Sequence, residues 1–259
     1  MIYPSWFISH GAPDVLLHSL PVLECWHSLS ADCPIPQAIL GVSAHWTTSE
    51  PVVSAATDPE TLYDFRGFPP SLSEIVYPVS GAPELAHQIV ECLQEAGLTC
   101  AITPHRGLDH GAWVPLSCIY PEAQIPVTQL SIQPHRDPAY HLALGRSLSS
   151  LRSQGILIIA SGSMTHNLSY FGQYPLHAEP PFWVQEFDRW MEKTLQDGDL
   201  ERLTHYRQLA PYAVENHPTD EHLLPLFVAL GAAGESWKSK RLHSSFTYGV
   251  LSMAAFEFC

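Results

Sequence analysis

Short runs of apolar residues, separated by glycine, proline and polar residues, recur along the whole chain. Runs of this length that are bounded by Gly and Pro are typical of buried strands. We expect an antiparallel pair of strands at the C-terminal end of the chain. The runs are WFIS (6–9), AILGVSA (38–44), PVVSAA (51–56), TCAIT (99–103), PVTQLSI (126–132), GILIIAS (155–161) and FTYGVLSMAAF (246–256).

Longer segments between these runs carry apolar residues at three- and four-residue spacing and predict helices. They cover residues 82–97, 137–155, 182–196 and 219–234. Because strands and helices alternate, the sequence predicts an α/β fold: a three-layer αβα domain with a mostly parallel central sheet, plus a smaller antiparallel element near the C-terminus. Prolines cluster in segments typical of long loops, so we expect residues 1–259 to form a single domain.

Composition and charge exclude several classes of protein. With 46% hydrophobic residues and a mean hydropathy near zero, the chain can build a sizeable core. No apolar run approaches the roughly 18 residues of a membrane helix, and the first residues lack the basic stretch of a signal peptide, so a cytoplasmic location without membrane contact is expected. A formal net charge of −14 argues against a nucleic-acid partner. Six cysteines without CxxC spacing are expected to be reduced thiols.

The unusual feature of the composition is its 15 histidines. Histidine is the commonest metal ligand and the usual acid/base residue near neutral pH. His10, His45 and His166 each follow an apolar run, after small residues that leave room for a tight turn. Ligands of open α/β sheets bind beyond the carboxyl ends of the strands, so we expect these side chains to face one crevice. For any one of them alone, a ring that merely hydrogen-bonds to a loop carbonyl is the simpler interpretation.

Further candidates lie in the segments LDHGAW and HPTDEHLLPL. His110 follows Asp109, which could orient an imidazole or could cap the next turn. Thr219 has the character of an N-cap and places His222 in the first helical turn, aimed toward the loops. His217 lies before that helix and is the second choice as a ligand. A surface position for His222 is the alternative, although a cation is unfavourable at a helix N-terminus.

Taken together, the motifs resemble the class III extradiol ring-cleavage dioxygenases of the LigB superfamily, in the DOPA 4,5-dioxygenase-like branch. The resemblance implies that His10, His45 and His222 hold a divalent metal ion, that His166 is the catalytic acid/base, and that His110 is a second catalytic residue beside the oxygen and substrate pocket. The matching segments follow the order of the family from residue 9 to residue 226: SHGAPD, SAHW, YDFRGFP, LDHGAW, SGSMTHNL and HPTDEHLLPL.

The resemblance implies a non-haem Fe(II)-dependent dioxygenase that inserts O2 into a DOPA-like or otherwise substituted catechol and forms a ring-opened semialdehyde acid. Protocatechuate-cleaving members carry Glu where this chain has His222, and three histidines are also a common zinc set, so Zn(II) is the alternative ion in crystals. Two other functions stay open: a zinc-dependent hydrolase or amidase using the same histidines, and a non-enzymatic metal-binding protein.

Four residues are candidates for substrate binding: Arg66, Asp109, Trp46 and His217. Arg66 in YDFRGFP could hold a substrate carboxylate through two parallel hydrogen bonds. A surface salt bridge with one of the many acidic residues is the more common arrangement for an arginine. The partners that the resemblance implies are a small catechol substrate and O2. A monomer or weak homodimer is expected, since the sequence has no coiled-coil heptads.

Overall fold

The main sheet is built around parallel strands that consist of the predicted apolar runs. The computed structural model describes residues 2–259; Met1, with which the expected 1–259 domain begins, lies outside the described residues. The strands are β1 (Ser5–Ser9), β2 (Ala38–Thr47), β3 (Val52–Ser54), β4 (Ala101–Thr103), β5 (Val127–Ile132), β6 (Ile156–Gly162), β7 (Ser239–His243), β8 (Phe246–Thr247), β9 (Leu251–Ser252) and β10 (Ala255–Phe258).

Within these residues the main sheet has eight strands in the order β4-β3-β5-β2-β6-β1-β10-β7. The central strands β5, β2, β6 and β1 run parallel to one another, while β10 and β7 join antiparallel at one side. Strands β8 and β9 form a separate antiparallel pair. The predicted mostly parallel sheet and the small antiparallel element near the C-terminus are therefore confirmed.

Helices cover both faces of the main sheet and bury its two apolar surfaces. One core lies between the sheet and the first and third helices, and a second core lies under the second, fourth, fifth and ninth. None of the helices in residues 2–259 is long and apolar enough to span a membrane. The helices are α1 (Pro21–Asp32), α2 (Pro83–Glu95), α3 (His110–Ile119), α4 (Pro138–Ser147), α5 (Phe182–Asp197), α6 (Leu200–Thr204), α7 (Tyr206–Leu209), α8 (Ala213–Asn216) and α9 (Leu224–Ala232).

The predicted helical segments did not include α1, α3 or the short helices α6, α7 and α8. Nearly every residue of α3 is buried, so the helix has no polar face and lacks the periodicity that marks an amphipathic helix. It also contains Pro115, a residue that usually argues against a helix interior. The segment therefore carried few local signs of the helix that it forms.

The predicted helix over residues 219–234 is wrong at its start. Helix α9 begins at Leu224, and His222 lies in the turn before it rather than in a first helical turn. The physical reason is Pro225, whose missing N–H and fixed φ suit the first turn of a helix but would break a helix that began at 219. Thr219 does not cap the helix; its hydroxyl donates to Glu221 instead.

His141 in α4 is a buried structural histidine that makes the fold sensitive to acid. Its Nε2 accepts a hydrogen bond from the Gln133 N–H at 3.2 Å, and its Nδ1 donates to the Asp137 carbonyl at 2.9 Å. Burial lowers its pKa from 6.5 to about 4. Below pH 6.5 the unfolded chain therefore binds a proton that the folded chain does not, and stability falls until the pH reaches about 4.

We predict that the free energy of unfolding drops between pH 7 and pH 4.5, and that His141→Gln makes this drop smaller by on the order of 2 kcal/mol. Urea denaturation at both pH values measures the effect. His87→Gln is the matched control, because His87 makes the same type of Nδ1 hydrogen bond to the carbonyl four residues before it but is exposed in the folded chain. Equal pH dependence in His141→Gln and the wild type would contradict the assignment.

Candidate active site

Two of the predicted metal ligands lie at the carboxyl ends of parallel strands. His10 is the residue after β1, and His45 lies near the end of β2. Both strands pair in parallel with β6, so their ends reach the same edge of the sheet. The pairing of β2 with β5 shifts register between Val42 and Thr47, and such irregularities re-aim side chains next to sites.

His222 is brought to the same edge by the turn that precedes α9. The main-chain N–H of Ser163 donates to the His222 carbonyl at 2.8 Å. A Cβ atom on Gly162 would lie 2.1 Å from that carbonyl oxygen, so a side chain at the end of β6 would displace the turn. The backbone of His222 therefore rests directly on the last residue of β6.

The imidazole nitrogens of these three histidines converge on one point. Nε2 of His45 lies 3.0 Å from Nε2 of His10 and 3.3 Å from Nε2 of His222. Nitrogen ligands about 2.1 Å from one metal ion, at angles of about 90–110°, are about 3.0–3.4 Å apart. The spacing of the three rings therefore fits a ligand set for a single divalent metal ion.

The other nitrogen of two of these rings is held by a neighbouring oxygen. Nδ1 of His222 lies 3.0 Å from Oε1 of Glu221. Nδ1 of His10 lies 2.9 Å from Oγ of Ser161, and that hydroxyl donates its own hydrogen to the Gly111 carbonyl. Both Nδ1 atoms must then be the donors, which leaves each Nε2 with the lone pair that a metal ion needs.

The rings of this cluster are uncharged; His10 and His222 are buried, and His45 is partly buried. Burial, together with the neighbouring histidines, lowers the pKa of His10 and of His222 well below the usual value. Burial and the nearby His110 lower the pKa of His45 to about 4. Because a metal ion binds only the unprotonated ring, the site is in its binding form at neutral pH.

His166 lies directly against this cluster. Its ring stacks on His222, with centroids 3.4 Å apart and an angle of 9° between the planes. Its main-chain N–H donates to the Asn216 carbonyl at 3.0 Å, while its ring makes no hydrogen bond to another residue in the described chain. Burial, followed by the effect of His217, lowers the pKa of His166 to about 3. The ring is therefore neutral and its nitrogens are available to a bound molecule.

His110 lies on the other side of the cluster, as the first residue of α3. Its ring centroid is 3.9 Å from that of His45. Its Nδ1 lies 2.9 Å from Oδ1 of Asp64, and its main-chain N–H donates to the same oxygen at 3.0 Å. Burial alone would raise the pKa of Asp64, but His110 outweighs that effect and lowers it to about 2. An ionised carboxylate thus lies beside the histidines.

The five histidines border a cavity of about 320 Å³. This volume is within the range of small-molecule sites. The lining also includes an apolar wall that is partly aromatic, which suits a flat ring. The apolar wall consists of Ala12, Pro13, Phe65, Phe68, Leu168, Phe171 and Leu251.

Arg66 alone of the four residues predicted to bind substrate belongs to the described lining of this cavity. Its side chain is exposed at the cavity, and within residues 2–259 its guanidinium makes no salt bridge. The described structure therefore shows no surface ion pair for Arg66, which was the alternative interpretation of this residue. The other three predicted residues, Asp109, Trp46 and His217, are not part of that lining.

Asp109 lies in a buried network beneath His45. Its carboxylate accepts hydrogen bonds from Ser43 Oγ at 2.6 Å, Arg106 Nη2 at 3.0 Å and Gln129 Nε2 at 3.1 Å. Ser43 Oγ in turn accepts from the His45 N–H at 3.2 Å. Asp109 therefore supports the backbone of His45 instead of contacting the cavity, and its side chain does not form the expected cap of α3.

Trp46 and His217 also lie outside the described lining of the cavity. The Arg106 guanidinium, which binds Asp109, lies 5.2 Å from the centroid of the Trp46 ring. His217 is fully buried, with Nε2 2.9 Å from the Met164 carbonyl.

Asp64, Glu221 and Ser161 are not among the functional residues expected from the sequence. Each holds or approaches the Nδ1 atom of a site histidine. Two of them carried a usable signal, since Asp64 stands in the YDFRGFP motif and Glu221 directly precedes His222. Carboxylates commonly orient histidines in this way. Ser161 carried no such signal, because a serine at a strand end is common.

A cluster of neutral histidines at the carboxyl edge of a parallel sheet defines an α/β protein with a candidate metal centre. Residues 20–258 match the family model described as the catalytic LigB subunit of aromatic ring-opening dioxygenase. The chain is 42% identical to a 4,5-DOPA dioxygenase extradiol of Beta vulgaris, across 99% of this chain and 97% of that protein. It is 38% identical to a protein of the same name from Escherichia coli K12, across 88% and 84% of the two chains.

A solved structure of an uncharacterized protein from Escherichia coli K12 has the same fold, with a TM-score of 0.83 and 33% identity over 98% of this chain and 99% of that chain. The chain therefore belongs to the LigB family, as its motifs predicted. Its enzyme class is that of an extradiol aromatic ring-opening dioxygenase.

We predict that Gly162→Ala disrupts the histidine cluster. The added methyl group would overlap the His222 carbonyl and push the turn away, at a cost of about 1–3 kcal/mol in the free energy of unfolding. Affinity for Co(II), measured by absorption titration, should fall at least about tenfold.

Gly41→Ala in β2 is the matched control, because its Cβ would meet its nearest neighbour at an ordinary 3.4 Å. The control should bind Co(II) like the wild type. If Gly162→Ala kept both its stability and its Co(II) affinity, the contact between β6 and the His222 turn would not matter for the site.

Proposed function

We propose that this protein is an Fe(II)-dependent extradiol dioxygenase that opens the ring of a DOPA-like catechol. The observation that carries the proposal is the convergence of the Nε2 atoms of three neutral histidines in a cavity with an apolar, partly aromatic wall. The names of the relatives, which are 4,5-DOPA dioxygenases, support this substrate class. Both atoms of O2 would enter the product, a ring-opened semialdehyde acid.

His10, His45 and His222 would hold the metal ion. Bound iron would supply a redox-active Lewis acid with open positions for the two catechol oxygens and for O2. Three histidines also suit Zn(II), but zinc has no redox chemistry and could not serve a reaction that consumes O2. The enzyme class therefore favours iron as the working metal.

His166 would act as the catalytic acid/base. Its neutral ring can accept a proton from a catechol hydroxyl group when the substrate binds, and can return a proton to the opened product. His110 would lie at the opposite side of the substrate and contact it through Nε2, because its Nδ1 is engaged by Asp64.

The apolar wall would position the ring and exclude water. Phe65 and Phe68 come from the loop after Asp64, and Phe171 comes from the segment after β6. Aromatic side chains bind flat rings through edge and face contacts at low entropic cost. A substrate held there would present its hydroxyl groups to the histidines.

We further propose that residues 1–259 act as one catalytic domain. Strands β1 and β10 pair with each other, so that the two ends of the described chain belong to the same sheet as the histidines. Every residue assigned to the site comes from a single chain, which is consistent with the expected monomer or weak homodimer.

The protein loaded anaerobically with Fe(II) is expected to consume about one O2 for each DOPA or simpler catechol and to form a yellow product. An oxygen electrode and absorption spectra measure both quantities. The Zn(II)-loaded protein should consume no O2. His166→Gln should keep its iron and lose at least about 100-fold in kcat. Absence of O2 uptake across a catechol panel, with iron content at one per chain, would overturn the proposal.

Arg66 is expected to select catechols that carry a carboxylate on the side chain. Hydrogen bonds to a charged group are worth about 1.5–3 kcal/mol, so Arg66→Ala should raise KM for DOPA by about tenfold or more. KM for unsubstituted catechol should change less than about twofold. Steady-state O2 uptake with both substrates measures the difference.

Arg136→Ala is the matched control, since this exposed arginine lies outside the cavity lining. It should leave both KM values unchanged. Equal changes of KM for the two substrates in Arg66→Ala would show that Arg66 does not recognise the carboxylate.

A further inference from the structure

Asp64 reaches His110 from a loop that is distant in sequence. One carboxylate oxygen, Oδ1, accepts from both the main-chain N–H and the ring of His110, at 3.0 and 2.9 Å. The other oxygen, Oδ2, lies 3.6 Å from Nδ1 of His45, which is too far for a hydrogen bond. The main action of Asp64 is therefore on His110.

This contact replaces the cap that the local sequence would supply. Asp109 occupies the N-cap position of α3, but its side chain makes no capping hydrogen bond, because its carboxylate is already used by the buried network beneath His45. Asp64 takes that role from 46 residues away and binds the ring at the same time. One side chain thus couples the start of the helix to the orientation of the imidazole.

The hydrogen bond also determines which nitrogen of His110 carries the proton. A carboxylate only accepts hydrogen bonds, so Nδ1 must be the donor. In a neutral ring the other nitrogen, Nε2, is then an acceptor. Nε2 of His110 has no partner in the described part of the chain, and the side chain lines the cavity.

We propose that Asp64 is a positioning residue that holds His110 in the Nδ1–H tautomer and so presents a hydrogen-bond acceptor, Nε2, to the hydroxyl group of the substrate. The role in turnover rests on the proposed ring-opening function, whereas the tautomer itself does not. A substrate hydroxyl group could then donate to His110 on one side while His166 receives a proton on the other. In the opposite tautomer, Nε2–H would compete with the hydroxyl group as a donor.

The first test measures the tautomer directly. Long-range proton–nitrogen NMR spectra of the full-length chain, recorded without metal and with one equivalent of Zn(II), distinguish a protonated from an unprotonated ring nitrogen. The signals of His110 are assigned by their loss in His110→Gln. We expect Nδ1–H in the wild type and a substantial Nε2–H population in Asp64→Asn. An Nε2–H tautomer in the wild type would overturn the proposal, whether or not any variant folds.

The second test separates positioning from simple support of the helix. In the Fe(II)-loaded enzyme, Asp64→Asn should lower kcat by about 10- to 100-fold with less than a threefold change of KM. Asp64→Glu should recover part of the loss, since it restores a carboxylate. Asp199→Asn is the matched control, because Asp199 caps α6 and touches no site residue. It should leave kcat unchanged.

A double-mutant cycle shows whether Asp64 acts through His110. If it does, Asp64→Asn should have little further effect on kcat in the His110→Gln background, since the two losses are not additive. Full additivity, or a wild-type kcat in Asp64→Asn, would overturn the proposal. If no catechol is turned over at all, the proposed function fails while the tautomer measurement still decides the role of Asp64.

Discussion

The candidate site depends on imidazole rings that are buried without charge and held in one tautomer. A protonated ring among them would repel any cation, and a ring with its proton on Nε2 would present no lone pair. Burial keeps the proton off, and oxygen acceptors at Nδ1 decide where the remaining hydrogen lies: Ser161 for His10 and Glu221 for His222. Ser161 and Glu221, which are not ligands themselves, thus fix the tautomer in which His10 and His222 could bind a metal ion.

The sheet supplies the rigidity that this arrangement requires. Strands β1 and β2 pair with the two sides of β6, so the strand ends that carry His10 and His45 keep a constant separation. The turn that carries His222 has no strand of its own and is fixed by its contact with the end of β6. Three segments that are distant in sequence therefore share one support, and movement of any one would change the distances between the nitrogens.

The cavity is lined by a group of histidines and by an apolar wall, and each suits one part of the proposed reaction. The histidine side can bind a metal ion and transfer protons, while the aromatic side can hold a flat ring and keep water out. Asp64 and Phe65 are adjacent in one loop, so the carboxylate that contacts His110 and part of the apolar wall belong to the same segment. Arg66 follows them directly and adds a positive charge to a chain that is otherwise strongly acidic.

The sequence by itself determined the fold class and the site histidines. Alternating apolar runs and helical segments predict a parallel sheet, and residues after parallel strands must meet at one edge, which is why His10 and His45 could be identified. Thr219 has the local character of a cap, but Pro225 in the first turn makes α9 begin at Leu224, five residues later. Only the tertiary structure decided that Ser161 and Asp64 hold imidazoles and that Asp109, Trp46 and His217 are not part of the cavity lining. The contacts of Ser161 with His10 and of Asp64 with His110 join residues 151 and 46 positions apart, and no local pattern encodes them, whereas Glu221 is the direct neighbour of His222.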